Sequence, residues 1–449
     1  MQLTEYDQSL LAGEQGKARQ VAMKLMIRAA EVSGADHLVD VSMAHVNSCF
    51  YSGQVGIDFA KFLLAEGGQV AVPTLTNVGL IDLLHPDLRP KEVHPEEVAG
   101  ARQLMDIYRQ LGCEVVWTCA PYQLKQRPQV GDQIVGSESN AVVFYNSVLG
   151  ARTNKYGDFL DICAAMTGRA PAAGLHLTEA RKGQLLFRLQ GVSAALMAED
   201  IFYHVLGVIL GREAGTRIPV IDGLPAEVSE DRLKAISAAS AAAGAVSMFH
   251  AVGITPEAET LAEAFQVAEF DDSVPEACIN VTPAMLVQAR DMLTNTESAE
   301  LRAVCLGTPH FSVSEFAQLM PLIEAQQAKQ PGITIHEGIC FYISTSRFIL
   351  AEIEQQGWVE QLEAFGVTMV VDTCTYFTPI AKGITGGVMT NSGKWAYYAP
   401  GMLKVPVVFG SMAECVESAV QGRVWRDAHL WKDDLWSSKS AAPGNGGNR

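Results

Sequence analysis

Two cysteines, Cys119 and Cys374, and two histidines, His45 and His310, each stand where an apolar run gives way to a polar loop. Thiolates and imidazoles are the side chains that hold soft metals and move protons near neutral pH. Cys119 sits in Thr118-Cys-Ala-Pro-Tyr122 after the run Cys113-Glu-Val-Val-Trp117, and Cys374 sits in Asp372-Thr-Cys-Thr375 after an apolar run at 367–371. Between them lies Asn140 to Asp158, an apolar segment followed within nine residues by Asn146, Ser147, Arg152, Thr153 and Asn154. That collection of guanidinium, amides and hydroxyls suits the grip of an anion. Cys340 to Arg347 offers further hydroxyls ahead of a helix start, with Arg347 placed to join them against an anion. Gly383 to Lys394 is glycine-rich and ends in a lysine, but Trp395 follows, so the spacing of a phosphate loop is absent.

These ingredients fit the dehydration of a hydroxy acid. Such a reaction needs a base for the proton beside the carboxylate, a Lewis acid or proton donor for the departing hydroxyl, and cations for the carboxylate. An iron-sulfur cluster held by cysteines far apart in sequence, with one iron left open, can be that Lewis acid. The alternative from another class is a metabolite-binding protein without catalysis. A nucleotide-dependent enzyme is disfavoured, because no G-x-G-x-x-G stands in the right context.

Residues so distant can meet only if many strand ends face one place. The periodicity predicts helices over 4–33 (two in succession), 57–65, 97–111, 159–166, 192–210, 235–245, 257–267, 282–292, 346–364 and 412–421. Strands are predicted over 36–41, 70–72, 113–117, 244–250, 301–306, 333–335, 367–371 and 403–409. On this reading His45, Asn47 and Ser48 lie in a loop past the first strand, and Asn77 in a loop past the second. The alternation predicts an α/β protein, with a possible second α/β lobe over about 170–300 and binding loops at the carboxyl ends of strands.

The bulk composition excludes several classes. With 449 residues and 48% hydrophobic content the chain can bury a large core. A net charge of −17 and a pI near 5.0 argue against nucleic acid or an anionic membrane surface as partner. No apolar run approaches the roughly 18 residues of a membrane span, and the N-terminus lacks the pattern of a signal peptide. A cytoplasmic protein is expected. The nine cysteines include no C-x-x-C pair, which speaks against a disulfide framework.

Several segments together resemble the catalytic region of the aconitase X family: Leu3-Thr-Glu with Leu11-Ala-Gly-Glu-Gln-Gly16, Ala44-His-Val46, Thr118-Cys-Ala-Pro-Tyr122, Glu138 through Asn154, Leu306-Gly-Thr-Pro-His-Phe-Ser312, Val371-Asp-Thr-Cys374 and Thr390-Asn-Ser-Gly-Lys394. The resemblance covers about residues 3 to 425. It implies an aconitase-superfamily-like, multi-lobed α/β core with a central cleft over 1–430, followed by a loose tail over 431–449. It also implies an iron-sulfur hydro-lyase acting on a small hydroxy acid, with a 2Fe-2S cluster or one of higher nuclearity. By position, Cys119 and Cys374 become the expected cluster ligands, with Cys305 as a third candidate. His45, Ser48 and Lys394 become the expected catalytic groups, and Asn47, Asn77, Asn146, Ser147, Arg152, Asn154 and Arg347 the expected substrate-binding groups.

Two activities are associated with the family, dehydration of cis-3-hydroxy-L-proline to Δ1-pyrroline-2-carboxylate and dehydration of mevalonate 5-phosphate. Thr308 stands where the archaeal phosphomevalonate form carries a cysteine, which tilts the expectation to hydroxyproline. The large region works with a small swivelling domain in that family, and none is visible here, so a separate small subunit is the expected partner.

Overall fold

The computed structural model describes residues 1–88, 94–376, 384 and 386–436, with the backbone alone at 433 and 434. Gly383 and Thr385 of the glycine-rich loop, and 437–449 of the expected tail, lie outside the described residues. Among the described residues the chain forms three α/β lobes, and no helix is long and apolar enough to cross a membrane.

The first lobe begins with helices Glu5–Ala12 and Lys17–Ser33. The first starts on a reciprocal cap between Thr4 and Asp7 and stops at Gly13, whose φ of 82° is open to glycine. Strand β1 (Leu38–Asp40) pairs antiparallel with β5 (Arg169–Pro171), while β2 (Ala44–Val46), β3 (Thr74–Thr76) and β4 (Val135–Gly136) form a parallel sheet in the order β3-β2-β4. His45 therefore lies inside a strand and not in a loop after one. The predicted strands at 70–72 and 113–117 are not strands. Val70 and Ala71 donate their N–H groups to Leu111 and Ala165, and Glu114 makes a single bridge to Leu75. Helices Gln54–Ala65, Pro95–Gln110 and Leu160–Thr167 cover this sheet around Ile57, Leu63, Leu104, Tyr108 and Ile162.

The second lobe is a parallel sheet in the order β8-β7-β6-β9, from β6 (Leu185–Arg188), β7 (Pro219–Asp222), β8 (His250–Ala251) and β9 (Ala277–Asn280). Helices Asp200–Ala214 and Glu230–Ala243 lie in close contact, as their small residues require. A Cβ on Gly207 would meet the Ala239 Cβ at 2.7 Å, and one on Gly211 the Ser240 carbonyl oxygen at 2.6 Å.

The third lobe is a five-stranded, wholly parallel sheet ordered β12-β11-β10-β13-β14. Its strands are β10 (Leu301–Phe311), β11 (Cys340–Thr345), β12 (Val367–Val370), β13 (Gly387–Thr390) and β14 (Val407–Phe409). β10 runs five residues beyond the predicted end and so includes His310. The predicted strand at 333–335 is absent, and helix Met412–Gln421 falls where its periodicity placed it. The parallel sheets set the carboxyl ends of their strands along one edge, where open α/β sheets bind ligands.

Candidate active site

The carboxyl ends of the first and third sheets meet over one cluster of side chains. From the third sheet, β10 carries an irregularity in its pairing with β11 between Leu306 and Phe311. Gly307, at φ 84°, sits so close to β11 that a Cβ would lie 2.0 Å from the Ser344 carbonyl oxygen. This bent segment delivers His310. Its Nε2 lies 3.0 Å from the Thr373 carbonyl oxygen and must carry the proton, which leaves Nδ1 to accept from the Thr118 hydroxyl at 3.0 Å. The exit of β12 delivers Cys374, and the segment after Trp117 delivers Cys119.

The two sulfurs are 3.7 Å apart and, with a ring nitrogen of His310, form a group whose ligand atoms all lie within 4.8 Å. Each cysteine follows, two residues on, a non-glycine residue in the left-handed region: Trp117 at φ 40° and Asp372 at φ 64°. Such backbone strain gathers at functional sites. Arg347 holds Asp372 in place through its Nε at 2.7 Å, and the Leu83 N–H adds a bond at 3.1 Å. Burial opposes ionisation of the Cys119 thiol, yet the Cys374 S–H, the Lys394 ammonium and the His310 N–H outweigh it and hold its pKa below the ordinary thiol value. Cys374 is pushed the other way, first by its bond to Cys119 and then by burial.

Beside the sulfurs lies a buried ion pair. Helix Gly393–Met402 starts on Ser392, which points Lys394 back across the site to bond Glu138, just past β4. Trp395 fixes that helix through its Nε1 bond to the Thr375 hydroxyl at 2.9 Å. Asn140 Nδ2 at 2.8 Å and Asn77 Nδ2 at 3.1 Å also donate to the Glu138 carboxylate. Burial raises the pKa of Glu138, but the Lys394 charge and hydrogen bond and the Asn140 amide win and hold it at about 2. Lys394 is held well above the ordinary lysine value, because the attraction of Glu138 outweighs the burial of its ammonium. Asn140 also donates to the Cys119 carbonyl at 3.0 Å, so the ion pair and the sulfurs share a scaffold.

The other expected residues are distributed as follows. His45 donates from Nε2 to the Thr118 carbonyl at 2.9 Å, and Asn47 accepts from Asn77 at 2.6 Å. Ser48 lies between Tyr108, whose hydroxyl donates to it at 2.6 Å, and Asp161, to which it donates at 2.6 Å. Cys305 is buried within β10 and outside the three-donor group, its pKa pushed by burial to about 12. Asn146, Ser147, Arg152 and Asn154 face the junction with 173–181 and 247–249. Asn146 takes the buried Arg181 guanidinium at 3.0 Å, Ser147 accepts the Phe249 N–H at 2.8 Å, Arg152 donates to Thr178 at 2.7 Å, and Asn154 donates to the Ala173 carbonyl at 2.9 Å. Glu138 and Asn140 stood within the stretch singled out in the sequence but were not chosen from it. A two-residue strand such as β4 leaves no periodic signal ahead of them.

The site can be tested for an iron-sulfur cluster. Two thiolates on one tetrahedral metal, with metal-sulfur bonds of about 2.3 Å, lie roughly 3.8 Å apart, close to the 3.7 Å here. The His310 tautomer also fits, since metal-bound imidazoles usually donate their other N–H to a carbonyl or carboxylate. The buried hydroxyls of Thr308 and Thr373 lack partners among the described residues and are free to donate to cluster sulfur. The residues therefore fit a thiolate-held iron centre. Larger surface hollows lie elsewhere, one of about 480 Å³ beside Asn295 and Trp431 and one of about 350 Å³ beside Lys182 and Glu276. The chemistry-bearing groups outweigh hollow size in locating the site, because those hollows hold no comparable convergence of donors.

The chain is similar to known proteins along most of its length. Models of the aconitase X first, second and third domains match residues 1–179, 183–290 and 301–421. A cis-3-hydroxy-L-proline dehydratase of Pseudomonas aeruginosa is 40% identical over 94% of this chain and 70% of its own length. Its counterpart in Hypocrea jecorina is 37% identical over 94% of this chain and 69% of its own. A phosphomevalonate dehydratase large subunit of Methanosarcina mazei is 29% identical over 94% of this chain and 98% of its own. The crystal structure of Thermococcus kodakaraensis aconitase X in its holo-form superposes with a TM-score of 0.80 at 30% identity, covering 93% of this chain and all of that one. Matched along nearly its whole length by dehydratases of one family, the chain is an enzyme of the aconitase X family.

Proposed function

We propose that this enzyme dehydrates cis-3-hydroxy-L-proline to Δ1-pyrroline-2-carboxylate, with an iron-sulfur cluster at Cys119 and Cys374. The observation that carries the reading is the thiol pair 3.7 Å apart beside the buried Glu138 and Lys394 pair, in a chain 40% identical to a cis-3-hydroxy-L-proline dehydratase. Loss of the C2 proton and of the C3 hydroxyl as water leaves a 2,3-enamine, which tautomerises to the cyclic imine. When bound, the cluster supplies a Lewis acid for the departing hydroxyl. Lys394, protonated at Nζ, receives the substrate carboxylate and so acidifies the neighbouring C–H. As Lys394 shares its charge with the substrate carboxylate, the pull that holds the Glu138 pKa at about 2 weakens, and its burial then raises its basicity. Glu138 is thereby readied as the acceptor of the C2 proton. His310 is a third candidate ligand, and Arg347 acts through Asp372 to position Cys374.

The large-subunit relatives imply by name a smaller partner, and we infer one here. The test is an anaerobic assay of iron- and sulfide-loaded protein with its small partner against cis-3-hydroxy-L-proline and mevalonate 5-phosphate. Consumption of the imino acid, with the product trapped by borohydride as proline, is the expected result. Turnover of the phosphate ester alone would replace this reading with that of the archaeal large subunits.

A further inference from the structure

The register of the first sheet puts a row of polar groups on one face. His45 stands opposite Leu75 on β3 and Gly136 on β4. Two residues on, where side chains return to that face, come Asn47, Asn77 and Glu138. Asn77 is fixed in orientation, because its Nδ2 donates both to Asn47 Oδ1 at 2.6 Å and to Glu138 at 3.1 Å, and neither partner can donate in return. Its Oδ1 therefore points away from them. That atom is buried and has no donor among the described residues. His45 has the same property: Nε2 carries the proton to the Thr118 carbonyl, so Nδ1 is a bare lone pair, buried and without a donor. Both residues are fully buried.

Leaving two buried acceptors unmet is costly, and a structure keeps them when a ligand supplies the donors. The ligand must bring two donor hydrogens, and a nitrogen that carries both, with a positive charge welcome beside the Glu138 carboxylate, meets that need. We infer that Asn77 Oδ1 and His45 Nδ1 receive the ring ammonium of the cyclic imino acid, making these two residues the determinants of preference for an amine-bearing substrate. The inference rests on the hydroxyproline reading. It sets C2, the carbon next to that nitrogen, toward Glu138, and it leaves the carboxylate free for Lys394. The rival is a resident water that serves both acceptors and contacts no substrate.

The experiment measures, by calorimetry under anaerobic conditions, the affinity of the loaded enzyme for L-proline and for (S)-tetrahydrofuran-2-carboxylate, in which an ether oxygen replaces the ring N–H groups. The wild type should bind L-proline about tenfold or more tighter, the size of one lost charge-assisted hydrogen bond. Asn77→Leu and His45→Phe should each shrink that ratio, with iron content and the near-ultraviolet circular dichroism unchanged. Two variants keep the test decisive if one does not fold. A wild-type ratio near one, or a ratio undiminished in a folded variant, overturns the inference and leaves the water in its place. If the wild type binds neither compound and does not consume hydroxyproline, the substrate reading itself is lost, and this inference with it.

Discussion

Substituting Glu138 by Gln removes one half of a buried ion pair and leaves the other half without its counter-charge. Lys394 is 2% exposed and Glu138 7% exposed, so water cannot take the place of the missing partner. The depression of Glu138 from 4.5 to about 2 corresponds to about 3 kcal/mol of stability. Because the folded value is the lower one, that stability is fully present above pH 4.5 and is lost as the pH falls toward 2. Truncating one partner of a buried pair costs about 3 to 5 kcal/mol, so Glu138→Gln should lose roughly this amount at neutral pH. Lys394→Met should do the same, but the double variant should recover much of the loss, because it leaves no buried charge unpaired. Urea unfolding of the four proteins at pH 7, and of wild type and Glu138→Gln from pH 7 down to 3, measures the cycle and its pH dependence. A single-variant loss under about 1 kcal/mol, or strict additivity in the double variant, would refute the reasoning, since it would mean that the pair is hydrated.

The metal centre and the packing give two further expectations. Cys119→Ser and Cys374→Ser should each abolish the visible absorption and most of the iron of anaerobically loaded protein, whereas Cys415→Ser, buried in the third lobe away from the donor group, should retain both. In the second lobe Gly207→Ala should destabilise by about 1 to 3 kcal/mol by overpacking, because its Cβ would lie 2.9 Å from the Ile236 carbonyl oxygen as well as against Ala239. A melting temperature unchanged in that variant would show that the two helices can part.

Long apolar periodicities were legible. Helix Met412–Gln421 was placed by its spacing alone, and the small-residue helix expected over 235–245 is present but starts five residues earlier, at Glu230. Short strands were not. β2, β3 and β4 are two or three residues each, too short for alternation to register, so His45 reads as loop although the sheet holds it. The same brevity hid Glu138 behind β4. The polar run from Asn146 to Asn154 reads as an anion grip because composition cannot distinguish a guanidinium that awaits a ligand from one that holds a neighbouring segment. The buried Arg181, which takes up Asn146, is remote in the chain and carries no local sign of its fate.

By itself the sequence determined the α/β alternation, the polar loops after apolar runs and the family motifs that single out two thiols, because these depend on residue type and on spacings of a few positions. Only the tertiary structure decided that sulfurs 255 positions apart stand 3.7 Å from each other, that Lys394 lies against Glu138, and that two acceptors at the first sheet have no donor among the described residues. Those properties arise where separate sheets meet and water is excluded. There the charge state and bonding of each group follow from neighbours that no local pattern names.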